Sequence, residues 1–151
     1  MGRKGGGVLA IFTVAPLLVI PVLIYNVAAG LGALQGADVF AQSMERGQFD
    51  LTLPSDAIWW IAGGDFLVLL ALCLLFAELL RSGADNPYAI ANHALSLLLF
   101  VACLLQFLLL PAFSTTTFFL ITVMTFLDVL AGVVVLIGSA RRAGPLRDDE
   151  V

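Results

Sequence analysis

The sequence is short of the side chains from which chemical sites are usually built: 151 residues contain one histidine, two cysteines and a charged fraction of only 12%. A lone histidine gives no paired imidazoles for haem or a metal ion, and two cysteines outside any Cys-x-x-Cys spacing give no thiol-redox motif. A glycine-rich phosphate loop and a nucleophile elbow are missing as well. The residues therefore point to no enzyme, no cofactor and no metal centre, and a net charge of -4 without a basic patch points to no nucleic-acid partner.

What the chain has instead is apolar length. Hydrophobic residues make up 61% of it and the mean hydropathy is +1.06, beyond the range of soluble domains. They fall into four runs, 8–30, 57–80, 88–110 and 116–139, each close to the roughly 20 residues that cross a bilayer at about 1.5 Å per residue. Backbone groups have no water to bond with in hydrocarbon, and runs of this length without alternation are read as helices. The expected fold class is an all-α integral membrane protein, a four-transmembrane-helix bundle in a single domain spanning 1–151, with an outer loop at 31–56 and a polar tail at 140–151. Pro16 and Pro21 are expected to kink the first helix. A cleaved signal ending at "VAA" before Gly30 is the weaker reading of that run, because its apolar core is long for a signal.

Of six arginines and one lysine, Arg3, Lys4, Arg81, Arg141, Arg142 and Arg147 fall on one side of this arrangement and Arg46 alone on the other. The asymmetry places both termini in the cytoplasm. Trp59 and Trp60 then sit at the outer face of the second helix and Tyr88 at the inner face of the third. In the loop between these two helices, Gly83 is expected to end one helix, with Asn86 and Pro87 starting the next; outside, Pro111 stops the third helix and Ser114 or Thr115 caps the fourth. Cys73 and Cys103 differ in depth by about 12 Å at helical rise, beyond disulfide reach, so both are expected to be free thiols.

The outer loop has its own pattern. "ADVFAQSMERG" sets Val39, Phe40 and Met44 at helical spacing, as in a short amphipathic helix, and "QFDLTLPSD" alternates Phe49, Leu51 and Leu53 with polar residues, as in an extended segment. Residues 37–53 are thus a candidate contact for a partner as well as a cover over the bundle.

Four ionisable residues fall within the apolar runs: Asp65, Glu78, His93 and Asp128. Each needs a partner or a purpose, because an Asp at a helix centre costs about 3 kcal/mol on insertion scales. Glu78 precedes Arg81 at ion-pair spacing, and Glu78 and His93 are expected to meet as a structural pair across neighbouring antiparallel helices. Asp65 follows Gly63 and Gly64, where a backbone can approach closely. Asp128 shares a face with Thr117, Ile121, Gly132, Val135 and Ser139, with Thr125 one turn above, and the third helix carries Asn92, Ser96, Cys103 and Gln106. The structural reading makes Asp128 an interhelical hydrogen-bonding group, with Asn92, Gln106, Asp65 or a threonine hydroxyl as partner. In the functional reading, Asp65 and Asp128 are stations about 6 Å apart in depth on a proton or cation path.

The resulting expectation is a small multi-pass protein of a bacterial inner membrane, the source being read from the preference for Arg over Lys with abundant Ala, Leu and Gly. Its expected role is that of a structural or accessory subunit, self-associating or joined to other membrane subunits in the lipid bilayer. The alternative is a small proton- or cation-coupled channel or transporter using Asp65 and Asp128.

Overall fold

The computed structural model describes residues 15–34, 36–81 and 89–142, with the side chains of 89 and 139–142 set aside. The first part of the first apolar run, the expected turn residues Gly83, Asn86 and Pro87, the anchor Tyr88 and the end of the tail lie outside the described residues. In chain order the elements are α1 (Val19–Gly32), α2 (Ala37–Glu45), β1 (Gly47–Thr52), β2 (Ile58–Ala62), α3 (Gly63–Arg81), α4 (Ala89–Leu109), a 3-10 turn (Pro111–Phe113) and α5 (Thr116–Arg142).

Among the described residues, three helices are long and apolar enough to cross a membrane: Gly63–Arg81, Ile90–Leu109 and Thr116–Gly138. The large side chains on their outer faces, among them Phe76, Leu98, Leu108 and Val134, are exposed, as suits helices whose solvent is lipid. α1 is apolar but has only 14 residues. It starts later than the sequence pattern implied, because residues 16–20 form a turn in which Val19 N–H bonds to the Pro16 carbonyl at 3.1 Å. Pro21 therefore falls in the first helical turn, where its missing N–H has no partner to lose, and the part of the run before residue 15, on which the expected kink also depends, lies outside the described residues.

The second apolar run is not helical from 57. Residues Ile58–Ala62 form β2, paired antiparallel with β1 so that Thr52 faces Ile58, Leu51 faces Trp59 and Asp50 faces Trp60. The fold is thus mostly helical with one β-hairpin, and Trp59 and Trp60 stand on a strand. "IWWI" is composed of strand-favouring aromatic and β-branched residues, and "QFDLT" offers it the matching alternating edge. Between the strands Asp56 adopts φ 60°, and Leu53 N–H bonds to the Ala57 carbonyl at 2.9 Å, closing the turn. A ladder shift between Gly47 and Phe49 brings Gly47 beneath Trp60, whose Cβ would lie 2.8 Å from any side chain added there.

α2 does form where the amphipathic pattern placed it, with Phe40 buried. Glu45 at its end accepts a hydrogen bond from Thr116 N–H at 2.6 Å, and Thr115 Oγ1 accepts one from Phe118 N–H at 3.1 Å. Two oxygens thus cap the start of α5, one of them from the expected capping residue. The buried core joins Val22 and Tyr25 of α1 and Phe40 of α2 to Ala71 and Leu75 of α3, Cys103 of α4, and Phe118, Ile121 and Met124 of α5.

α3 lies close against α5 at Gly64. A Cβ at this position would collide with the Thr117 hydroxyl and lie 2.8 Å from the Met44 carbonyl oxygen. Since a backbone atom cannot swing aside, Gly64→Ala is expected to lower stability by about 2 kcal/mol, on the scale of overpacking. Equilibrium unfolding in mixed micelles checks this, and a variant as stable as the wild type would mean that the two helices have room to separate.

Candidate functional site

One group of polar side chains within the helices gathers near the end where α3 finishes and α4 starts. Glu78 is 0% exposed and sits one turn before the end of α3. Its Oε2 accepts the Leu17 N–H at 2.8 Å, and its Oε1 accepts from Arg81 and from Asn92 Nδ2, both at 3.4 Å. Arg81 also donates to the Ala15 carbonyl at 3.1 Å. One buried carboxyl group thereby ties together α3, α4 and the turn that leads into α1, with the Arg81 guanidinium 3.4 Å away. The Leu17 N–H and the Ala15 carbonyl precede the start of α1, and the side chains of Glu78 and Arg81 supply their partners.

On the adjoining faces of α4 and α5 lie His93, Ser96 and Asp128. Asp128 is 5% exposed and Ser96 2%. His93 Nδ1 rests against Gly132, one helical turn beyond Asp128, where any side chain on α5 would strike the ring. The Ser96 hydroxyl and the ionisable groups His93, Glu78 and Arg81 are the polar neighbours of Asp128. Four atoms of this group, Asn92 Oδ1, His93 Nδ1, Ser96 Oγ and Asp128 Oδ2, are buried without a hydrogen-bond partner; Ser96 lies beside Asp128 without meeting bonding geometry.

The sequence-derived candidates thus divide. Asn92 and Asp128 belong to one cluster, along with Glu78 and His93. The expected Glu78–His93 bond is replaced by Glu78–Asn92, because Asn92 rather than its neighbour projects toward α3. Asp65 does not belong. With the helix starting at Gly63, this residue stands in the first turn, exposed, and its Oδ2 accepts the Ala62 N–H at 2.8 Å in a reach-back cap. It faces the Thr116–Thr117 end of α5, about 16 Å along that helix from Asp128 at helical rise, and not the 6 Å in depth that a helix starting at 57 implies. Gln106 is about 21 Å along α4 from Asn92 and forms a reciprocal amide pair with Asn26 of α1. Its Nε2 donates to Asn26 Oδ1 at 2.7 Å and its Oε1 accepts from Asn26 Nδ2 at 3.3 Å. The Thr125 hydroxyl turns back to the Thr122 carbonyl at 2.7 Å, so it serves its own helix rather than Asp128.

Two side chains that join the helices escaped the sequence reading. Asn26 was masked by the apolar run around it, and its only signal is an amide at membrane depth. Tyr25 is 0% exposed and its hydroxyl bonds to Thr115 Oγ1 at 2.7 Å and to the Ala112 carbonyl at 3.0 Å, which fastens α1 to the turn before α5. Cys73 and Cys103 are both free thiols, Cys103 buried and Cys73 on the exposed surface. No group of three or more His, Cys, Asp or Glu side chains that could hold a metal ion occurs among the described residues. No protein-family model, curated protein or solved structure matches the chain.

Proposed function

We propose that the protein is a structural or accessory subunit of a membrane complex, a multi-pass protein of a bacterial inner membrane with both termini on the cytoplasmic side. The observation that carries this reading is the use made of the interhelical polar groups. Glu78 binds α4 and the turn before α1, Asn26 binds Gln106, and Tyr25 binds the turn before α5. These contacts hold one helix arrangement in place rather than line a path. The conduction reading loses one of its two stations, since Asp65 caps a helix about 16 Å from Asp128. It retains Asp128, whose Oδ2 has no partner.

In this proposal the first apolar run supplies the fourth span, and α2 with β1, residues 37–53, presents the contact for a second copy or another subunit. The experiment is native mass spectrometry of the tagged chain extracted in detergent from its own membrane. The expected result is a species of fixed stoichiometry above the 16.0 kDa of one chain. A monomer alone would overturn the subunit reading. So would an Asp128→Asn protein that folds normally but has lost ion or proton flux in liposomes, because that result assigns the carboxylate to transport. Impermeant thiol reagents on variants lacking Cys73 and Cys103 test the orientation: a cysteine introduced at Gly47 should react from outside and one at Gly83 should not.

A further inference from the structure

The β-hairpin has two unlike faces. Residues paired across an antiparallel ladder share a face and successive residues alternate, so Phe49, Leu51, Trp59 and Ile61 lie on one side and Asp50, Thr52, Ile58 and Trp60 on the other. The first side is wholly apolar. It is turned toward α3: Phe49 meets the Phe66 ring edge-on with centroids 6.2 Å apart, and Trp59 and Ile61 form with Phe66, Leu69 and Leu72 a groove of about 390 Å³ in which Asp65 is the one polar residue. Trp60 belongs to a separate hollow, with Met44, Glu45, Thr116 and Thr117 at the start of α5. Two neighbouring tryptophans thus open onto different surroundings.

We propose that this groove seats an acyl chain of a phospholipid from the leaflet on the hairpin's side, with Trp59 in the lipid interface and Trp60 turned over the end of the bundle. Its length matches one leaflet. The lowest lining residue, Leu72, is roughly 14 Å along α3 from Gly63 at helical rise, against roughly 15 Å of hydrocarbon in half a bilayer. The groove also runs without a break into the helix surface at membrane depth, because Phe66, Leu69, Leu72 and Phe76 recur every three or four residues and are 54%, 57%, 52% and 62% exposed. A second copy is the competing occupant. Close packing of membrane helices calls for small or polar residues, however, and this flank presents large apolar ones. Trp59 then takes the headgroup-level position that an amphipathic indole favours. The hairpin face with Asp50 and Thr52 and the outer side of α2 are left for the subunit contact, so the lipid site goes beyond that reading and rests only on α3 crossing the membrane.

The chain has no tryptophan besides these two, so fluorescence resolves the two surroundings. The full chain, as wild type, Trp60→Phe and Trp59→Phe, is reconstituted over a series of protein-to-lipid ratios into liposomes of phosphatidylcholine brominated on the acyl chains near the headgroup. Trp59, alone in Trp60→Phe, is expected to lose most of its emission relative to unbrominated liposomes. Trp60, alone in Trp59→Phe, is expected to keep most of its own. Equal quenching of the two would overturn the proposal, as would a Trp59 that bromine leaves unquenched. Quenching of Trp59 that appears only at high dilution in lipid would overturn it too, because a second copy then covers the face. Should a variant fail to fold, the wild type decides alone: a loss confined to part of the emission is expected, and complete loss or none overturns the site. Quenching does not report stoichiometry, so this site and the subunit reading fail separately.

Discussion

Replacing Tyr25 with alanine is expected to lower the unfolding free energy by about 3 kcal/mol, at the low end of large-aromatic truncations because lipid, unlike water, supplies apolar contacts to the unpacked helix. The ring is 0% exposed and meets Phe40, Phe113 and Phe118 at centroid distances of 5.5, 5.4 and 4.7 Å. It is therefore the shared contact of α1, α2, the 3-10 turn and α5. Tyr25→Phe separates packing from hydrogen bonding: it leaves the ring in place and releases the Thr115 and Ala112 partners, for an expected loss of about 1 kcal/mol. Unfolding of both variants in mixed micelles checks the order. Equal losses would place the stabilisation in the hydroxyl, and a Tyr25→Ala protein as stable as the wild type would mean that α1 is not held through this ring.

The long helices were legible because a bilayer demands a length, and 20 apolar residues in a row supply it without reference to the rest of the chain. The start of α3 was not, because "IWWIA" reads equally as the top of a helix or as a strand. What decides is "QFDLT", ten residues earlier, which pairs with it. That one displaced boundary carried Asp65 with it. A carboxylate placed mid-helix looks like a buried charge, whereas the same residue in a first turn is an ordinary cap. Asp128 and Glu78 were found because an acid in an apolar run is visible in one dimension. Their partners were not: Leu17 N–H lies 61 residues from Glu78, and Asn26 lies 80 from Gln106. Such contacts depend on helix rotation, and apolar runs with little amphipathic contrast leave rotation unspecified.

The second large effect is expected at Glu78. Glu78→Leu fills most of the volume with an apolar side chain but leaves the Leu17 N–H, the Asn92 amide and the Arg81 guanidinium without their acceptor. Removing one member of a buried charged pair costs about 3 to 5 kcal/mol, and since Arg81 is 31% exposed and can turn to water, the expected loss is about 3 kcal/mol. Glu78→Gln is expected to cost about half as much, because the amide oxygen can still accept from Leu17 N–H or Asn92 while only the charge is lost. The loss should also be local. Proteolysis of the Leu variant is expected to open the segment around Ala15–Leu17 first, while the aromatic cluster around Tyr25 still holds the far end of α1. A Leu variant at least as stable as the wild type would mean that well-packed hydrocarbon serves at this position as well as the network does, and that α1 is fastened to the bundle by Tyr25 and Asn26 alone.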